Sequence, residues 1–187
     1  MEDTMRFSWG LLWKDCSCIL SGIFVLGIPV LAVNGLSLHG LAGCCFLIML
    51  FLIAVLDYRY GYIFDCFTYP FWGTGMMLSL LPVQVGVFDA FIGSILGGGF
   101  FYMVYCMSHG GMGGGDVKFA AAIGAWMGWE LLSVAVLLAF FLATMVAFYL
   151  FSVGDKRQYL PFSPFLSVGS YISYFWGDQI YLAVWSI

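Results

Sequence analysis

Apolar runs too long to sit inside a small soluble domain limit this chain more than any other feature. "FLIMLFLIAVL" at 46–56 and "VLLAFFLATMVAFYLF" at 136–151 contain no charge and do not alternate every second residue. Of the 187 residues, 63% are hydrophobic and 9% charged, and the mean hydropathy is +1.01. A water-facing surface needs about a quarter charged residues, so the chain is read as an integral membrane protein. Inside a bilayer every backbone polar group must be satisfied internally, which leaves helices or a closed barrel. Continuous runs select helices, because a barrel strand alternates.

A spanning helix takes roughly twenty apolar residues. On that scale about seven spans are expected, near 16–36, 40–56, 67–84, 88–107, 117–130, 131–152 and 163–184. The first is read as a retained span, since it lacks a small-residue cleavage site. Seven spans place Arg6, Lys14, Arg59, Lys118, Lys156 and Arg157 on one side. By the positive-inside rule that side, with the N-terminus, is cytoplasmic. Asp89, Glu130 and Asp178 then fall outside. The expected architecture is an all-α, polytopic membrane helix bundle, with residues 1–187 as one domain.

Several functions lose support at once. No basic stripe with interleaved aromatics is present, so nucleic-acid binding is not expected. Cys16, Cys18, Cys44, Cys45, Cys66 and Cys106 form no C-x-x-C pair, and no metal site is expected. His39 and His109 read as loop residues.

The acids are more informative. Asp57 directly follows an apolar run, Asp65 opens the next span, and Asp116 follows the loop Gly110, Gly111, Met112, Gly113, Gly114, Gly115. An ionisable group at membrane depth is a functional hypothesis by default. Taken singly, each acid could simply mark a helix end, and Asp65 and Asp116 suit the positive end of a helix dipole. Taken together, membrane-edge aspartates are what an aspartic peptidase needs. Two carboxylates sharing a site do not ionise together, so one keeps a proton. The ionised one draws a proton from water while the protonated one hydrogen-bonds the scissile carbonyl. The glycines leave room for a peptide backbone beside Asp116. Lys118 could hold Asp116 or snorkel to lipid phosphate. A different class, a small proton-coupled transporter with Asp57, Asp65 and Asp116 as a relay, would spread its acids across the membrane depth; here they cluster at one face.

Four stretches also resemble a known family in the right order. "GGGDVK" fits the G-x-G-D signature of intramembrane aspartyl peptidases at Gly113, Gly115 and Asp116. "LDYRYGYIFDCFTYP" from Leu56 resembles the first-aspartate segment of type IV prepilin peptidases. "GAWMGW" at Gly124–Trp129 and "LPFSPFLSVGSY" from Leu160 resemble the segments that follow. The resemblance implies a membrane aspartic endopeptidase of the bacterial inner membrane. It would remove the leader of prepilin or pseudopilin precursors, serving a pilus or secretion system, at the cytoplasmic face. Asp57 and Asp116 match the catalytic pair and Asp65 a third, supporting acid, with Gly113, Gly115 and Lys118 around them. Preflagellin and presenilin-like peptidases are more distant versions of the same idea. Phe64 stands where the family often has proline. Larger members carry a cytoplasmic insert with paired C-x-x-C motifs and methylate the new N-terminus. This chain resembles the short form without them, so S-adenosylmethionine is expected only if methylation is retained.

Overall fold

A computed structural model describes residues 28–30, 32, 35, 37–81, 85–108, 111–153 and 161–185. Most of the first expected span, the residues Arg6, Lys14, Cys16, Cys18, His109, Lys156 and Arg157, and the loop residue Gly110 lie outside the described set. Five helices follow in order among the described residues: α1 (Leu38–Tyr60), α2 (Asp65–Ser79), α3 (Val87–Met107), α4 (Gly114–Val153) and α5 (Ser163–Trp185). No strand occurs among these residues, as the apolar runs lead one to expect. Among the described residues, three helices are long and apolar enough to cross a membrane: α1, α3 and α4.

The local sequence explains where the helices begin and end. Ser37 caps α1, its Oγ accepting from the Gly40 N–H at 3.1 Å. Gly61, at φ 63°, closes α1 in the left-handed conformation, and its N–H donates to the Asp57 carbonyl at 2.7 Å. Asp57 therefore sits inside the last turn of α1 and not beyond it. The third expected span is shorter than read from sequence: α2 ends at Ser79. His39 belongs to α1, not to a loop.

The fifth and sixth expected spans are continuous except at one residue. A straight helix of 40 residues would reach about 60 Å, twice the hydrocarbon core. Gly128, at φ 73° and ψ −179°, interrupts it. The break lies two residues before the expected boundary, at the residue type that adopts positive φ freely.

α4 is the centre of the bundle, packed against α3, α5 and α2, while α1 packs on α5 and α2. Small residues permit this. A Cβ on Gly93 would run into the Gly124 carbonyl and the Gly128 backbone, and one on Gly97 would meet the Ala120 carbonyl. Gly93 and Gly97 of α3 thus lie directly on Ala120, Gly124 and Gly128 of α4, a close approach that lipid-embedded helices depend on for packing. On the other side, Trp126 stacks on Phe71 at 5.5 Å and meets Phe46 at 5.5 Å. Its indole N–H donates to the Phe71 carbonyl at 2.7 Å, which fixes α2 against α4.

Candidate active site

Three helix ends converge on the two aspartates. Asp57 comes from the last turn of α1, Asp116 from the first turn of α4, and Ser163 opens α5. Asp57 is 3% exposed and Asp116 4%, although both are charged-type side chains at the ends of apolar helices. They lie within electrostatic reach of each other. A pair expected from sequence is thus brought together from positions 57 and 116.

Ser163 sits between them and is fully buried. Its hydroxyl donates to Asp116 Oδ1 at 2.8 Å. The same hydroxyl and the Ser163 backbone N–H also bear on the Asp57 carboxyl. That N–H is one of the unpaired donors at the start of a helix. Pro164 costs nothing there, because a first-turn N–H has no intrahelical partner to lose. Asp57 Oδ2 is buried with no hydrogen-bond partner among the described residues.

The glycines before Asp116 have different duties. A Cβ on Gly115 would lie 2.8 Å from the Ile63 Cβ, so Gly115 lets the start of α4 close on the segment between α1 and α2. A Cβ on Gly113 would lie 3.7 Å from Asp116 Oδ2, in ordinary contact, so no steric clash demands glycine there. Its bareness keeps that flank of the carboxylate uncovered. The Asp116 N–H donates to the Gly113 carbonyl at 3.2 Å, starting the helix.

Asp65 is close by but differently employed. It opens α2 and pairs with Lys118, whose Nζ is 2.8 Å from both Asp65 oxygens. Lys118 also lies 5.4 Å from the Tyr69 ring centre. Of the partners open to Lys118 on sequence, Asp116 is not the one it binds; its ammonium pairs with Asp65. Both side chains are more than a third exposed, so the pair is a bridge at the rim between α2 and α4.

Ser163 was not singled out by sequence reasoning. The available signal was a lone hydroxyl between Pro161-Phe162 and Pro164-Phe165, within a stretch otherwise noted only as proline-rich. At the opposite end of the bundle Asp89, Glu130 and Asp178 line one cavity of about 150 Å³ beside Gly128.

The sequence profile of the type IV leader peptidase family matches residues 44–148, which contain Asp57, Asp65 and Asp116. The chain is similar to the prepilin leader peptidase/N-methyltransferase of Pseudomonas putida, 31% identical over 136 residues, covering 69% of this chain and 47% of that protein. It is 32% identical to the protein of that name from Burkholderia pseudomallei strain K96243 over 171 residues, covering 88% and 55%. The Bacillus subtilis relative of the same name is 30% identical over 151 residues, covering 78% and 60%. The chain spans about half the length of the curated relatives it matches. No solved structure matches it. With a profile match over more than half of its length, carrying both buried aspartates, this multi-pass membrane chain belongs to the type IV leader peptidase family.

Proposed function

We propose that this protein is a membrane aspartic endopeptidase that removes the leader of type IV prepilin-like or pseudopilin precursors, with Asp57 and Asp116 as the catalytic pair. The observation that carries the reading is the burial of these two carboxyls within electrostatic reach of each other, supplied by separate helices. One ionised and one protonated carboxyl suffice for peptide hydrolysis. Water adds to the scissile carbonyl carbon as its proton passes to the ionised aspartate, and the carbonyl oxygen takes the proton of the other. On collapse, the first aspartate returns its proton to the leaving nitrogen and the second recovers one from the gem-diol. The C–N bond breaks and both carboxyls regain their starting charge.

Asp65 and Lys118 act as support, tying α2 to the start of α4 next to Asp116. The described basic residues Arg59 and Lys118 stand at the aspartate end, while Asp89, Glu130 and Asp178 gather at the other. This charge division favours a cytoplasmic site by the positive-inside rule. It also counts against a transmembrane proton relay, which needs acids at intermediate depth. The relatives are also named as N-methyltransferases, and the mass of the mature product reads methyl transfer by this chain.

The test is incubation of detergent-purified protein with candidate prepilins, followed by mass measurement of both products. Loss of the leader mass is expected. An intact precursor, with a relative from the same family cleaving it under the same conditions, would refute the reading; a further methyl mass on the mature product would extend it.

A further inference from the structure

We infer that Ser163 is a positioning residue of the aspartate pair, whose buried hydroxyl holds the Asp116 carboxyl in its working orientation beside Asp57. The inference rests on the peptidase reading above and deepens it. A hydroxyl has one hydrogen to give and lone pairs with which to accept. The Ser163 hydrogen is directed at Asp116 Oδ1, at 2.8 Å. The same hydroxyl and the Ser163 backbone N–H also bear on the Asp57 carboxyl, so one residue addresses both acids.

Ser163 can hold this place because α5 begins there: its backbone N–H is one of the unpaired donors of a helix start and bears on Asp57, while its hydroxyl holds Asp116. Ser163 is fully buried and the two aspartates are 3% and 4% exposed, so removing the hydroxyl leaves Asp116 Oδ1 without that partner in a buried setting.

The experiment compares wild type, Ser163→Ala, Ser163→Thr and Asp116→Asn in leader cleavage, with melting in detergent as the control for folding. Losing a hydrogen bond to a charged group costs roughly ten- to a hundredfold. Ser163→Ala should lower kcat by about that factor with KM nearly unchanged, and Ser163→Thr should restore most of it. Infrared spectra of the same variants should show a carboxyl stretch that is lost in Asp116→Asn and shifts in Ser163→Ala. A wild-type kcat for folded Ser163→Ala, or a carboxyl stretch insensitive to that change, would overturn the inference. If Asp116→Asn is inactive while Ser163→Ala is normal, the serine role fails and the peptidase reading stands. If Asp116→Asn still cleaves, the peptidase reading itself fails. Should Ser163→Thr not fold, the alanine variant and the spectra still decide.

Discussion

At the residue scale, the three aspartates divide by what each one meets. Asp57 and Asp116 share a buried setting with Ser163, which binds Asp116; Asp65 meets Lys118 at the rim. Equal charge and similar sequence surroundings conceal this difference. Lys118 stands two residues after Asp116 but about half a helical turn round from it, so its side chain reaches α2 instead. The consequences differ accordingly. Lys118→Met should change stability by no more than about 1 kcal/mol, the range of exposed ion pairs, as read by detergent melting. Asp65→Asn should leave far more cleavage than Asp57→Asn. Cleavage normal with Asp57→Asn and lost with Asp65→Asn would transfer the catalytic role to Asp65. The aspartates were legible because charge in an apolar chain is conspicuous. Ser163 was not, because a serine in a membrane helix is ordinary until its partner, 47 positions away, is known.

At the element scale, the packing of α3 on α4 sets where the start of α4 lies. Gly93 and Gly124 occupy the closest approach, and a side chain at either would strike the other's backbone. Gly93→Val should therefore destabilise the protein by about 1–3 kcal/mol or more and should lower the melting temperature measurably. Gly128→Ala forces a side chain into a positive-φ, extended-ψ backbone that is essentially reserved for glycine, at a cost of roughly 1–3 kcal/mol, and a melt of the purified variant reads this directly. The apolar runs revealed α1, α3 and α4 because length and hydropathy are properties of sequence alone. The limits of α2 and the break in α4 were less legible. Hydrophobicity continues through Leu80 and Leu81 after α2 has ended, and nothing in "GAWMGW" tells which of two glycines turns the chain. The choice falls to Gly128, the one of the two at positive φ. α5 is not among the helices apolar enough to span; Asp178 and Gln179 interrupt its apolar run, and Ser163, Ser167, Ser170 and Ser173 are buried in it. Ser167 and Ser173 turn their hydroxyls on the carbonyls of Leu50 and Leu131.

At the scale of the whole molecule, the bundle has two chemically distinct ends. One holds Asp57, Asp65, Arg59, Asp116 and Lys118; the other holds Asp89, Glu130 and Asp178 around the Gly128 break. Single cysteines placed at Arg59 and Lys118 should be labelled from the cytoplasm, and one at Glu130 from the opposite side. Labelling of all three from one side would break the proposed orientation. The pairing of aspartates from α1 and α4 is the central claim, and a cleavage cycle of Asp57→Asn, Asp116→Asn and the double variant tests it most directly. Each asparagine keeps nearly the same size and removes ionisation. Loss of general acid–base assistance alone is worth about 10²–10⁴-fold, and groups that act as a unit are strongly non-additive. The predicted result is that each single variant, folded and expressed, loses leader cleavage to at least that extent, and the double variant is scarcely worse than either. Near-normal cleavage by Asp116→Asn, or independent and multiplying losses in the double variant, would contradict a shared two-aspartate site.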